Sequence, residues 1–168
     1  MVELINQDYK KNKLLYSSIE SALKEHLAYA KIDHVGSTAI PNICGKNIID
    51  ILVGVSLDNF DIAKNTLIDM GYCPSERSRT EIYQFFASKI EETGSGDTHI
   101  HLVVLDTDRY NEFIILRDYL LDNPDEAIAY SKHKEEILKL GLDRRAYREV
   151  KSKYVTELIN RAKKNKTY

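Results

Sequence analysis

The chain has 168 residues, of which 43% are hydrophobic and 30% are charged, and it carries a net charge of −2 at pH 7. This balance is typical of a water-soluble globular domain and gives no global reason to expect nucleic-acid binding. No run approaches the roughly 20 apolar residues that cross a bilayer. The first residues lack the apolar segment of a secretory signal, and the two cysteines form no CxxC pair. We therefore expect a single domain over residues 1–168, without a membrane segment, in the reducing cytoplasm.

The first half of the chain alternates helical and strand patterns. Apolar residues recur at helical spacing between about residues 11 and 29, which predicts an amphipathic helix. A short strand is predicted at residues 31–35, and it ends at a turn formed by Gly36 and Ser37. The apolar, β-branched run at residues 48–55 is typical of a central strand covered on both faces. A single charged residue, Asp50, interrupts this run.

The second half predicts two further strands followed by helices alone. Asp58 is expected to cap a helix that ends near residue 70. Residues 80–88 and 98–105 are predicted strands that can pair as a hairpin across a polar, glycine-rich turn at residues 91–97. Three helices are predicted in the remainder, at about 108–122, 124–140 and 143–161. This order predicts an α/β (α+β) fold, a mixed sheet flanked by helices, with a helical C-terminal part at about residues 108–168.

Positive charge is concentrated at the end of the chain. Residues 144–168 contain nine Lys or Arg and two Glu, so the other residues, with 15 basic and 24 acidic side chains, have a net charge of −9. One interpretation is a surface for RNA or polyphosphate. The other is a helix whose basic face lies against an acidic body. We favour the second, because nucleic-acid sites usually show a denser basic patch.

The turn at Gly36 and the carboxylate of Asp50 suggest a ligand site. Glycine allows an anion to approach the backbone closely, and the hydroxyls of Ser37 and Thr38 are additional donors. A carboxylate inside an apolar strand is costly unless it is paired, hydrogen-bonded or bound to a cation. These residues therefore predict a site for a metal–phosphate ligand. The alternative is a plain turn, with Asp50 bonded to nearby backbone.

Several blocks of this sequence resemble the GrpB family. They are HVGSTAIP with KNIIDILVGV (34–41 and 46–55), THIHLVV (98–104), LRDYLLDNPDEAIAYSKHK (116–134) and AYREVKSKYV (146–155). The resemblance implies a nucleotidyltransferase-like fold and membership of that superfamily. The chain departs from the family at its N-terminus, because the usual Asp-Pro and Trp segment is replaced by NQDYKKN and tryptophan is absent.

The superfamily resemblance also implies roles for individual residues. Gly36 and Ser37 would grip a nucleotide triphosphate, and Asp50 would bind a divalent cation, Mg²⁺ or Mn²⁺. The second carboxylate of the superfamily motif is replaced by Leu52, which cannot bind a metal ion.

Two histidines occupy the strand where the resemblance places the third carboxylate. His99 and His101 alternate along a predicted strand, so both side chains lie on one face. Together with Asp50 they would form a ligand set that suits Zn²⁺, Mn²⁺ or Fe²⁺, and His101 would act with Asp50 in catalysis, as a base. The alternative is that one histidine packs in the sheet while the other bonds a backbone carbonyl.

Three lysines are candidate phosphate ligands: Lys46, Lys134 and Lys151. Lys134 and Lys151 each follow a tyrosine by four residues, so each pair shares a helix face. The alternatives are packing on a helix surface for these two lysines and an exposed loop position for Lys46. Arg117 and Asp118 are expected to form a buried ion pair that ties the first C-terminal helix to the sheet.

Three functions follow from this pattern. The first is a protein that binds a nucleotide or another small phosphate-bearing molecule and acts as a metal-dependent nucleotidyltransferase, with an acceptor hydroxyl attacking the α-phosphate. The second is a binding module that Leu52 has deprived of transfer chemistry. The third is a metal-dependent hydrolase that uses Asp50, His99 and His101.

Overall fold

The computed structural model describes residues 3–88 and 96–165, apart from the side chains of Arg77 and Arg144. Seven strands are found in this part of the chain: β1 (Ile5–Asn6), β2 (Lys31–Val35), β3 (Cys44–Gly45), β4 (Ile49–Val55), β5 (Cys73–Thr80), β6 (Tyr83–Ala87) and β7 (Thr98–Val104). Five α-helices accompany them: α1 (Tyr9–His26), α2 (Phe60–Asp69), α3 (Asp108–Asp122), α4 (Pro124–Lys139) and α5 (Arg144–Asn165).

The central sheet has five strands in the order β2-β4-β7-β6-β5. β4 and β7 are parallel, and the other neighbouring strands are antiparallel. β1 and β3 form a separate two-stranded antiparallel ribbon. The mixed α/β fold predicted from the sequence is therefore confirmed.

The two faces of the sheet are covered differently. Alternate residues of β4, such as Ile51 and Val53, lie in a core shared with buried residues of α1 and α2. On the opposite face Leu52 is fully buried against Tyr110 of α3. A third core joins α3, α4 and α5 to the segment that follows the Gly36–Ser37 turn. The turn and Asp50 thus lie where the sheet meets the C-terminal helices.

Most predicted elements agree with the structure, and the differences have local causes. The turn at 91–97 lies largely outside the described residues. The edge strand β5 was not predicted, because its sequence CPSERSRT is polar and lacks apolar alternation. The prediction that Asp58 caps α2 was wrong. Asp58 lies inside a short 3₁₀ turn, and the helix begins at Phe60.

None of the helices in the described residues has the length and apolar character needed to span a membrane.

Candidate phosphate-binding site

The Gly36–Ser37 turn lies directly above the Asp50 carboxylate. Val35, the last residue of β2, is paired with Asp50 across the antiparallel β2–β4 ladder. The next residue, Gly36, has a φ of 72°, and a β-carbon at this position would overlap the Asp50 carboxylate. Glycine is required here for both reasons. The sequence-predicted turn and the carboxylate are therefore in contact.

Asp50 and the two histidines form one polar cluster on the sheet. His99 lies opposite Asp50 in the parallel β4–β7 ladder, and its Nδ1 is 3.1 Å from Asp50 Oδ1. His101 lies two residues further along the same face, with its Nε2 3.7 Å from the same oxygen. Burial alone would raise the pKa of Asp50, but hydrogen bonds from His101 and His99 hold that pKa well below its ordinary value. Asp50 is therefore ionised at neutral pH.

The ionised carboxylate fixes the protons of both imidazoles. A carboxylate only accepts hydrogen bonds, so the nitrogens that face Asp50 carry the protons. His101 Nδ1 is then an acceptor, and the Tyr83 hydroxyl, 2.9 Å away, donates to it. Both nitrogens of His101 are thereby used, whereas no described residue bonds His99 Nε2. His99 is thus better placed than His101 to act as a base or to bind an added ligand.

The Asp50 cluster is accessible to solvent. The side chains of Asp50 and His99 are 24% and 27% exposed, and that of His101 is 14% exposed. Phe85 of β6 packs edge-on against both imidazoles, with ring centroids 4.9 and 5.5 Å apart. Asp50 and His99 are therefore partly in contact with solvent.

Lys134 is brought to the turn by the β3 segment. The Gly45 backbone packs so closely on Ser37 that a β-carbon at Gly45 would overlap the serine hydroxyl. The preceding residue, Cys44, is hydrogen-bonded to α4. Its N–H donates to Ser131 Oγ at 2.8 Å, and its carbonyl accepts from the Lys134 ammonium. Lys134 is only 3% exposed, and its ammonium is engaged by this carbonyl.

The buried Lys134 ammonium is electrostatically unusual. Burial lowers its pKa to about 8, and the neighbouring Lys151 acts in the same direction, while Asp50 opposes the shift. Its Nζ lies 4.7 Å from the centroid of the Tyr130 ring. None of the described carboxylates forms an ion pair with it.

Lys151 approaches the same region from α5. Its pKa is raised, first by the neighbouring Tyr130 and then by the charge of Asp50 and by Tyr147, against the effect of burial. Two lysines from different helices thus share the field of one carboxylate. Lys46 lies close by, with its Nζ 5.7 Å from the Tyr147 ring.

Thr38 and His34 support the turn from inside the fold. Thr38 is fully buried, and its hydroxyl donates to the Ile48 carbonyl at 3.3 Å. The same oxygen lies 3.0 Å from His34 Nε2. Burial lowers the pKa of His34 to about 4, and its ring stacks on Tyr16 at 4.5 Å. The predicted phosphate contact of Thr38 is therefore not favoured, because its hydroxyl is already engaged.

Arg117 acts in the scaffold, as the sequence predicted. Its guanidinium bonds Asp118 at 2.8 Å and reaches Asp33 of β2 at 2.9 Å. The Tyr110 hydroxyl donates to the other oxygen of Asp33 at 2.9 Å. These contacts join α3 to the sheet.

Gln7 was not predicted as part of the site. With its amide oriented to satisfy both partners, Gln7 donates to the Ser37 carbonyl at 3.1 Å and accepts from the Asn47 N–H at 3.1 Å. This bridge depends on the pairing of β1 with β3, which both have only two residues. Strands this short leave no periodic pattern.

The residues present do not suit a two-metal clamp. Leu52, at the second carboxylate position, is buried against Val103 and Tyr110 and offers no oxygen. Over residues 3–88 and 96–165, no group of three His, Cys, Asp or Glu side chains is arranged to hold a metal ion. Asp50 Oδ1 is instead engaged by His99.

The fold is nucleotidyltransferase-like. A solved structure of the Cid1 poly(U) polymerase with bound MgGTP superposes with a TM-score of 0.52 at 15% sequence identity. The match covers 79% of this chain and 44% of that one. This likeness concerns the fold alone.

The chain belongs to the GrpB family, whose model, described as GrpB protein, matches residues 2–161. The Glutamate-rich protein GrpB of Alkalihalophilus pseudofirmus is 35% identical over 155 residues, which are 90% of this chain and 86% of that protein. A UPF0157 protein of Deinococcus radiodurans is 29% identical over 81% of this chain and 69% of its own length. The crystal structure of the conserved protein GrpB from Enterococcus faecalis matches with a TM-score of 0.81 at 22% identity, over 97% of this chain and 98% of that one.

Proposed function

We propose that this protein binds a nucleotide or another small phosphate-bearing molecule between the Gly36–Ser37 turn and helices α4 and α5. The observation that carries this proposal is the buried Lys134 ammonium, which has no ion-pair partner among the described residues. It donates to the carbonyl of Cys44, and the next residue, Gly45, packs on Ser37 of the turn. Lys151 adds a second cation in the field of Asp50. Two lysines and a glycine turn are chemically suited to a phosphate group.

The energetic cost of Lys134 supports a binding role. Moving an ammonium from water into a protein costs several kcal/mol unless it is well paired. A backbone carbonyl and a tyrosine ring offset part of this cost, but neither supplies a full negative charge. A bound phosphate would supply it. Burial lowers the pKa of Lys134, and we expect a bound anion to raise that pKa again.

A single divalent cation is compatible with this site when the ligand supplies oxygens. Asp50 and His99 offer one carboxylate and one available imidazole nitrogen, which is too few for Mg²⁺ or Mn²⁺ alone. Phosphate oxygens would complete the set. We therefore infer that any cation binds together with the ligand, and that Asp50 is the residue that holds it.

Nucleotidyl transfer is the second candidate function. His99 Nδ1 faces Asp50, and its Nε2, which none of the described residues bonds, could accept a proton from an acceptor hydroxyl. Leu52 argues for binding over transfer, because the attacking and leaving oxygens would share one ion at most. Pyrophosphate release from a nucleoside triphosphate would favour transfer, and release of inorganic phosphate would favour a hydrolase.

The proposal is tested by calorimetric titration of ATP and of adenosine, each with and without MnCl₂. We expect ATP to bind and adenosine to bind at least about tenfold more weakly, a difference of about 1.4 kcal/mol. Lys134→Met should remove this difference. Lys132→Met, which alters an exposed lysine on the same helix, is the matched control. Equal affinity for ATP and adenosine would contradict the proposal.

We also infer that the protein works in the reducing cytoplasm. Both cysteines are free thiols, and Cys44 is buried at the site, where its backbone is held by Ser131 and Lys134. A reducing compartment keeps such thiols unpaired.

A further inference from the structure

A second cationic surface lies beyond the Asp50 cluster, at the open edge of the sheet. A cavity of about 460 Å³ is formed by the end of β5, the turn into β6 and the start of α3. Its described lining is Ser78, Arg79, Thr80, Ile82, Tyr83 and Arg109. Two arginines and three residues with hydroxyl groups thus line one depression, and its described lining contains no acidic residue.

A neighbouring cavity differs from the first in the charges of its lining residues. It has a volume of about 530 Å³ and shares Arg79 and Thr80 with the first. Its lining also contains Asp61 and Glu81, which neutralise the charges of Lys64 and Arg79. The described lining of the first cavity contains no acidic residue, although its two arginines pair with Glu76 and Glu112 outside it.

Arg109 is positioned by aromatic contacts. Its guanidinium carbon lies 4.9 Å from the centroids of both Tyr83 and Phe113. Stacking on two rings holds the planar cation while its N–H groups remain able to donate. Its ion pair with Glu112 is long, at 3.7 Å, and that of Arg79 with Glu76 is solvent-exposed. Exposed pairs of this kind are weak and can yield to an anion.

The cavity is connected to the Asp50 cluster by direct contacts. The Tyr83 hydroxyl bonds His101 Nδ1 at 2.9 Å, and Phe113 packs on the His101 ring at 4.6 Å. His101 in turn faces Asp50. An anion on Arg109 would therefore alter the two aromatic side chains that hold His101.

We propose that this cavity is a second oxyanion site, which binds a phosphate or carboxylate group through Arg79 and Arg109 and is linked to Asp50 through Tyr83 and His101. It is separate from Lys134 and Lys151 and does not depend on the ligand proposed for them. A molecule with an anionic group in this cavity would extend along the sheet towards His99.

The test is an NMR titration of ¹⁵N-labelled protein with inorganic phosphate and, separately, with succinate. The Nε–H resonances of Arg79 and Arg109 and the ring nitrogens of His101 are followed. We expect saturable shifts at all three residues, and the anion that binds more tightly identifies the group. The shifts should persist in Lys134→Met, which separates this site from the phosphate-binding site above.

Variants decide whether the cavity is responsible. Arg109→Gln should weaken the affinity at least about fivefold, which is about 1 kcal/mol. Thr80→Val is a second variant, which retains both arginines and removes one hydroxyl. Arg145→Gln is the control, because it removes an exposed arginine that is also paired with a glutamate. The proposal is overturned if neither anion shifts Arg79 and Arg109, or if Arg109→Gln and Thr80→Val both bind as the wild type does.

Discussion

At the scale of single residues, the site combines one carboxylate, Asp50, with a histidine, a glycine turn and two lysines. Asp50 accepts from His99, lies beneath Gly36 and shares its field with Lys134 and Lys151. These contacts keep it ionised without binding it in an ion pair with lysine. In the proposed site, the carboxylate is therefore available to bind a cation, and the two lysines are available to bind an anion.

The Asp50→Asn substitution separates ligand binding from stability. The amide retains an oxygen that can accept from His99, so we expect the free energy of unfolding to change by less than about 1 kcal/mol. Cation-dependent ATP binding should be lost, because a neutral amide is a poor ligand for Mn²⁺. Calorimetry with and without MnCl₂ measures the binding, and urea unfolding measures the stability. Normal binding, or failure to fold, would show that Asp50 is structural.

Gly36→Ala should be more damaging than its size suggests. The positive φ disfavours alanine by about 1 kcal/mol, and the methyl group would also press on Asp50. We expect a lower melting temperature together with loss of ATP binding. Gly141→Ala is the control, because Gly141 has a φ of 63° but nothing lies near its β-carbon position. If both variants bind ATP normally, the contact between turn and carboxylate is unimportant for binding.

Because the pKa of Lys134 is lowered, we expect pH to have opposite effects on phosphate binding and on stability. Its folded-state pKa of about 8 is below its ordinary value of 10.5. Phosphate affinity should therefore fall as the pH rises through about 8, because the ammonium is lost. Between about pH 8 and pH 10.5 the unfolded chain binds more protons at this residue, so its contribution to stability rises with pH. Both trends should be absent in Lys134→Met, and their persistence there would assign them to other groups.

The sequence predicted residues that belong to one continuous motif better than residues that meet only in the fold. Gly36, Ser37 and Asp50 are close in the chain, and β4 carries the carboxylate back to the turn by simple pairing. Tyr83 and Arg109 have no such signal, since their roles depend on contacts with His101 and Phe113 across different elements. The role of Thr38 could not be predicted, because the sequence does not show that its hydroxyl bonds the Ile48 carbonyl.

At the scale of elements, periodic apolar runs account for what could be predicted. β4 is recognisable because it is covered on both faces, and the C-terminal helices because proline and glycine mark their boundaries. β5 is an edge strand with a polar sequence, so only its pairing with β6 defines it. The ribbon of β1 and β3 is too short to leave a pattern, although it carries Cys44 to Lys134.

The junction of α3 with β2 depends on Arg117. Its side chain and that of Asp33 are 19% and 17% exposed, so solvent screens the pair only partly. Arg117→Met should lower the free energy of unfolding by about 2–4 kcal/mol, because it leaves a buried carboxylate without its cation. The control Arg145→Met breaks a largely exposed pair and should cost less than about 0.5 kcal/mol. Equal stabilities of the two variants in urea unfolding would show that the junction does not rest on this pair.

At the scale of the whole molecule, the site is assembled from both ends of the chain. The sheet supplies the turn, Asp50 and His99, and the C-terminal helices supply the lysines. Lys134 reaches a carbonyl that is 90 residues away in sequence. Within the basic C-terminal segment, Lys151 interacts electrostatically with Asp50. Arg161 of the same segment forms an ion pair with Glu126 of α4. Because this contact joins residues so far apart in the chain, the sequence alone could not decide between ligand binding and packing for Lys134.

The most direct test of the phosphate-binding site is a crystal structure of the protein grown with ATP and MnCl₂. We predict phosphate oxygens within about 3 Å of the Lys134 or Lys151 ammonium and of the backbone at Gly36 and Ser37, with any Mn²⁺ bound between the phosphates and Asp50. A triphosphate bound elsewhere, with both lysines unchanged and Asp50 bonded only to its histidines, would contradict the proposed site.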